Sequence, residues 1–160
     1  VDRSRGLGDV YKRQALDRFQ GVKRRMEILA SCEDYVIYDD FAHHPTEIFK
    51  TLSSLREKIG NDQIIAVIEP RSRTMQSGLH DKEMAKALSP AESVIWYEGQ
   101  DVKRSMSAEL KKAKAEVYFA ANISEIIQIT RQIKTTKSNI VIMSNGDFSG
   151  LRELIKKELD

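Results

Sequence analysis

The run Gln63-Ile64-Ile65-Ala66-Val67-Ile68-Glu69 constrains this chain more than any other stretch. Its apolar side chains do not alternate with polar ones. A strand built from it must therefore be covered on both faces, which is the situation of a central strand in a mainly parallel sheet flanked by helices. Tyr35-Val36-Ile37-Tyr38, Ser93-Val94-Ile95-Trp96-Tyr97, Val117-Tyr118-Phe119 and Asn139-Ile140-Val141-Ile142-Met143 repeat the pattern with β-branched and aromatic residues. Segments of helical period lie between these runs. Ile48, Leu52, Leu55 and Ile59 define one and Ile126, Ile127, Ile129 and Ile133 another; shorter ones cover residues 79–88 and 108–114, and a last one closes at Leu159. Arg25-Met26-Glu27-Ile28-Leu29, charged at its flank, reads as an edge strand. The expectation is an α/β, Rossmann-like three-layer domain with a mainly parallel sheet of about six strands.

Residues 1–14 stand outside this pattern. They mix Gly, Arg and Asp without an apolar period, and Arg5-Gly6-Leu7-Gly8-Asp9-Val10-Tyr11-Lys12-Arg13-Gln14 resembles a translated sequencing adaptor. The expected organisation is therefore a non-native, disordered leader over residues 1–14 and one domain over residues 15–160. The leader also carries the charge imbalance. The whole chain has a formal net charge of +2, and removing four basic and two acidic leader residues leaves 22 of each sign. A balanced domain gives no electrostatic case for nucleic acid as a partner. The single cysteine, Cys32, excludes an internal disulfide and a cysteine-based zinc cluster, and it fits a reducing cytoplasm. No stretch reads as a membrane span.

The polar residues that could carry chemistry gather in loops, and three of those loops follow carboxyl ends of expected strands. That is where open α/β sheets bind ligands. Tyr38-Asp39-Asp40-Phe41-Ala42-His43-His44-Pro45-Thr46-Glu47 reads as strand, polar turn and helix start, placing Asp39, Asp40, His43 and His44 in the crevice. Pro45 suits the first helical turn and Glu47 its dipole. Pro70-Arg71-Ser72-Arg73 sets two guanidiniums beyond a buried strand, a fork for carboxylate or phosphate. Ser144-Asn145-Gly146-Asp147 is a small-residue turn, either an ordinary turn and cap or a backbone anion nest. Neither a Gly-x-x-x-x-Gly-Lys-Ser/Thr phosphate loop nor a Gly-x-Gly-x-x-Gly fingerprint occurs, so these residues do not cradle nucleotide phosphates unaided.

Taken together, Gly21-Val22-Lys23-Arg24-Arg25-Met26-Glu27, the Asp-Asp-Phe-Ala-His-His-Pro-Thr stretch from Asp39, Glu69-Pro70-Arg71-Ser72 with Thr74-Met75, and Met143-Ser144-Asn145-Gly146-Asp147-Phe148 resemble the carboxyl-terminal domain of the Mur ligases. Glu69-Pro70-Arg71-Ser72 and Met143-Ser144-Asn145-Gly146 favour the muropeptide-recycling members. Those members usually carry Asn where this chain has Arg73. Members that add L-alanine to UDP-N-acetylmuramate share the two-histidine motif but typically read Phe-Gln-Pro-His-Arg in place of Ile68-Glu69-Pro70-Arg71.

The resemblance implies the last domain of a three-domain, cytoplasmic enzyme that uses ATP and Mg2+ to join UDP-N-acetylmuramate to a murein tripeptide. Phosphate loop, metal ligands and catalytic residues would lie in the amino-terminal and central domains, with none in this chain. It further implies Arg25, Asp40 and His43 as nucleotide-binding residues, Asp40 through the ribose hydroxyls. His44, Arg71, Arg73 and Asn145 would face the substrate, Arg71 as a carboxylate clamp. A non-catalytic nucleotide-binding module is the reading of another class.

Overall fold

The computed structural model describes residues 24–71, 73–78, 80–100 and 106–159. The expectations for residues 1–14, and for the start of the domain at residue 15, lie outside the described residues. The chain runs β1 (Glu27–Ser31), β2 (Tyr35–Asp40), α1 (Pro45–Ile59), β3 (Gln63–Ile68), α2 (Arg73–Gln76), α3 (Asp81–Ala87), β4 (Ser93–Tyr97), α4 (Ser107–Leu110), β5 (Glu116–Ala120), α5 (Ile123–Ile133), β6 (Ser138–Met143), a single 3-10 turn (Phe148–Gly150) and α6 (Leu151–Glu158). The six strands form one sheet in the order β1-β2-β6-β3-β4-β5. All neighbours are parallel except β1, which pairs antiparallel with β2 at the edge.

This order puts two separate cores on the two faces. Ile64, Ala66, Ile68, Val94, Trp96 and Val141 point to the side of α1, α3 and α4, where they meet Ile48, Leu52, Leu55, Met84, Leu88 and Leu110. The alternate residues Ile65, Val67, Ile95, Ile140 and Ile142 meet Ile126 and Ile127 of α5 and Leu151 and Ile155 of α6. Both sets of strand residues are fully buried, which is why the runs are apolar throughout. The expected strand over residues 139–143 extends back by one residue, and the one over residues 35–38 extends forward through Asp39 and Asp40. The helix expected over residues 79–88 is shorter, Asp81–Ala87, and the one over residues 108–114 is a single turn, Ser107–Leu110.

Helix α1 begins with Pro45 in its first turn and Glu47 behind it, and its last turn carries Arg56 and Lys58, so its charges follow the dipole. It ends at Gly60, whose φ of 66° suits a residue without Cβ and whose N–H returns to the Arg56 carbonyl. Arg56 then ties the amino ends of the neighbouring elements together. Its guanidinium donates to the carbonyls of Gly60 at 2.7 Å, Asp62 at 2.8 Å and Pro90 at 3.0 Å, and to Glu92 Oε2 at 2.6 Å. The same Glu92 oxygen accepts from Ile64 N at 2.7 Å, at the start of β3. Among the described residues no helix is long and apolar enough to cross a membrane.

Candidate functional site

Register brings the strand ends to one level: Asp40 of β2 and Ile68 of β3 both oppose Met143 of β6, and Ile68 opposes Trp96 of β4. The strands β2 and β3 pass the chain to helices on one face of the sheet, whereas β6, lying between them, passes it to α6 on the other. The loop after Met143 thus sits at the switch point where a crevice opens. Around it stand the loop after β2, the loop after β3 and the residues that enter the antiparallel β1.

Asp40 does not stand in that crevice. It is 2% exposed, and its oxygens accept from Met26 N at 2.9 Å, Ala42 N at 2.9 Å and Thr51 Oγ1 at 3.4 Å. Strand β2 continues through it, so its side chain turns inward and closes the corner between β1 and α1. Asp39 is equally buried, contrary to the expectation of a crevice residue. Arg152 Nε donates to Asp39 Oδ1 at 2.8 Å, and Arg24 Nε approaches Oδ2 at 3.4 Å. Neither Arg24 nor Arg152 emerged as a site residue from the sequence. Arg25 is exposed, whereas Arg24 turns in, its guanidinium 5.0 Å from the Phe41 ring centroid.

The loop after β6 presents carbonyls to these arginines, which is the reverse of an anion nest. Arg24 Nη2 donates to Ser144 O and, at 2.9 Å, to Gly146 O; Arg152 Nη1 donates to Gly146 O at 3.1 Å and Asp147 O at 2.7 Å. Ser144 Oγ donates to Glu69 Oε2, joining the loop to the end of β3. Gly146 also carries the Arg71 side chain, because a Cβ there would collide with Arg71 Nη1. Arg71 and Arg73 are exposed, and Asn145 is half-buried. Glu69, Arg71, Gln76, Tyr97, Asp147 and Ser149 line a cavity of about 300 Å³ at the ends of β3, β4 and β6.

The two motif histidines part company. His43 Nδ1 lies 3.0 Å from Phe41 O, which can only accept, so that nitrogen carries the proton, and the Glu47 carboxylate lies 3.5 Å from it. His44 caps α1, its Nδ1 accepting from Thr46 N at 3.2 Å. Its Nε2 must then hold the proton and donate to His80 Nε2 at 3.3 Å, and His80 Nδ1 in turn donates to Glu83 Oε2 at 2.6 Å. This chain uses both ring nitrogens of His44 within the protein and leaves no lone pair for a substrate proton. His44, Phe49, His80, Glu83 and Lys86 line a second cavity of about 490 Å³ between α1 and α3, apart from the Arg71 cavity. His80 was not singled out from the sequence, and a lone histidine before a helix gives little reason to do so.

The structure thus brings Arg71 and the residue 144–147 loop together, ties that loop to Arg24 beside Arg25, and leaves His44 in a neighbouring cavity. No group of three or more His, Cys, Asp or Glu able to hold a metal ion occurs among the described residues. A cavity beyond the carboxyl ends of a parallel sheet, with the exposed Arg71 set beside Glu69 and Asp147, is the ligand-binding arrangement of open α/β domains.

The comparisons give that class its family. Residues 24–146 match the Mur ligase, glutamate ligase domain, and the chain belongs to that family. UDP-N-acetylmuramate--L-alanyl-gamma-D-glutamyl-meso-2,6-diaminoheptandioate ligase of Haemophilus influenzae is 34% identical over 147 residues, covering 91% of this chain and 32% of its own. UDP-N-acetylmuramate--L-alanine ligase of Streptococcus agalactiae is 48% identical over 149 residues, covering 89% and 32%. A murein peptide ligase from Psychrobacter arcticus superposes with a TM-score of 0.79 at 33% identity, covering 91% of this chain and 32% of that one. The chain therefore spans about a third of the length of these relatives.

Proposed function

We propose that this chain is the carboxyl-terminal domain of an ATP-dependent ligase that joins UDP-N-acetylmuramate to a murein tripeptide through an amide bond. The observation that carries the reading is Arg71, packed on Gly146 in the cavity at the ends of β3, β4 and β6, in a chain similar to the Haemophilus influenzae ligase. ATP would supply the phosphoryl group that activates the sugar-linked carboxylate, with Mg2+ held mainly by the rest of the protein. Arg25 would meet the nucleotide phosphates as a charge-assisted donor. Arg71 and Arg73 would meet the substrate carboxylates, where a planar guanidinium can make two parallel bonds.

The same geometry redistributes two other roles. His43, its Nδ1 held by the Phe41 carbonyl, can turn Nε2 to a ligand, and Asn145 can offer its amide across the crevice. Asp40 acts on the nucleotide through position, by fixing Met26 next to Arg25, because its own oxygens already have donors. Closing the domain over the bound substrates would exclude water from the activated carboxylate.

Addition of L-alanine is the second reading, favoured by the similarity to the Streptococcus agalactiae ligase. Steady-state ADP release by the full-length protein decides between them. Turnover with UDP-N-acetylmuramate and tripeptide, and little with free L-alanine, is expected; the opposite preference selects the second reading. Arg71→Lys, which keeps charge and loses the fork, should raise the KM for the peptide more than that for ATP. Equal kinetics for this variant and wild type would remove Arg71 from the substrate site.

A further inference from the structure

We propose that Asp39 is a positioning residue that couples the two sides of the crevice, so that Arg25 and the loop of residues 144–147 are held or released together. Only the identity of the two ligands rests on the ligase reading; the coupling itself rests on the contacts. Asp39 lies one residue before the end of β2, opposite Glu27 of β1 and Ile142 of β6, and is therefore flanked by both segments it would couple. Its carboxylate is 2% exposed and sits between two guanidiniums, Arg152 Nε at 2.8 Å and Arg24 Nε at 3.4 Å. The Arg24 contact is an ion pair without hydrogen-bond geometry, since Arg24 Nε is buried with no hydrogen-bond partner.

Both guanidiniums reach past Asp39 to the same acceptor, Gly146 O, and between them they also hold Ser144 O and Asp147 O. Without Asp39 two like charges would converge on one carbonyl, so the carboxylate is what allows the arrangement to persist. On the other side, Arg24 is fixed along its backbone as well: its N donates to Glu27 Oε2 at 3.0 Å and its carbonyl accepts from Phe41 N at 2.8 Å. Arg24 and Met26 have φ of 59° and 50°, a left-handed conformation that non-glycine residues hold only when surrounding contacts impose it. Arg25 lies between them. Release of the Arg24 side chain removes one of those contacts, and the direction of Arg25 changes with it. Arg152, on α6, reaches this segment by two routes, directly through Asp39 and through Gly146 O, which Arg24 Nη2 also holds.

The test is backbone 15N relaxation on the 160-residue chain. Arg152→Met should lower the order parameters at Asn145 and Gly146 and also at Arg25 and Met26. In an Asp39→Asn background the same substitution should add less at Arg25 than it does alone, the non-additivity expected of one shared network. Loosening confined to residues 144–147, or additive changes at Arg25, overturns the coupling. Where Asp39→Asn does not fold, Arg152→Lys replaces it: an intermediate change at both segments supports the coupling, and a change at one alone refutes it. In the full-length ligase, Arg152→Met should raise the KM for ATP and for the peptide together, each by about threefold or more, whereas a loss of thermal stability with both KM values intact would reduce Asp39 to a structural ion pair. A wild-type protein that releases no ADP removes the ligase reading and leaves the relaxation measurement to decide the coupling.

Discussion

At the scale of single residues, the two adjacent aspartates at the end of β2 divide the work by geometry. Asp40 satisfies the N–H groups of Met26 and Ala42, and Asp39 lies between two arginine side chains. Removing the Asp40 carboxylate leaves two backbone donors without their acceptor in a buried corner. Asp40→Ala should therefore cost about 1.5–3 kcal/mol in urea unfolding, the range for hydrogen bonds to charged groups; a loss below about 0.5 kcal/mol would show that water replaces the carboxylate, as at ordinary surface positions. Burial pushes the Tyr38 phenol above its usual range, and the hydroxyl donates to Asn139 Oδ1 at 3.4 Å, so it stays a neutral donor wherever the chain is folded near neutral pH. The neighbouring histidines show the same economy of placement: His43 keeps an open nitrogen, while His44 spends both in the protein.

At the scale of elements, α1 joins the crevice to the base of the sheet. Its first turn is capped by His44, and its last turn holds Arg56, whose five donors meet four carbonyl or carboxylate partners around the starts of β3 and β4. Arg56→Met keeps much of the stem but leaves Gly60, Asp62 and Pro90 carbonyls to water, and should lower stability by about 1–2 kcal/mol. A fully reversible melt with an unchanged midpoint would show that these partly exposed contacts contribute nothing net, as many surface pairs do. At the other end of α1, His44→Ala should cost about 1 kcal/mol, the usual worth of an N-cap side chain, and should also free His80 to reorient. The expected NMR signature is a shift of the His80 ring resonances, with Nδ1 still held by Glu83; an unchanged His80 ring with an intact cap-region amide at Thr46 would mean that water closes the chain as well as His44 does.

At the scale of the whole molecule, the sheet divides the core into two layers that touch through the strands. Leu52, in the α1 layer, and Ile155, in the α6 layer, are both fully buried. Leu52→Ala and Ile155→Ala should each cost about 2–5 kcal/mol, and the double variant should equal their sum within about 0.5 kcal/mol because they share no partners. A large departure from additivity would mean that the two layers relax as one.

The sequence by itself determined the layered α/β class, the succession of elements, and the clustering of polar residues after strand ends, because apolar runs and helical periods depend on local spacing. It also determined that Arg71 and the residue 144–147 turn belong to such ends. Only the tertiary structure decided the strand order that inserts β6 between β2 and β3, since parallel pairing is made between residues about a hundred positions apart, such as Asp40 and Met143. It alone decided which of two adjacent arginines turns inward, whether an aspartate at a strand end faces ligand or backbone, and that Arg152 from α6 meets Asp39. The physical reason is the same in each case: a charged side chain next to a strand end is equally compatible with solvent, ligand or a buried partner, and the partner that settles the matter is supplied by a distant part of the chain.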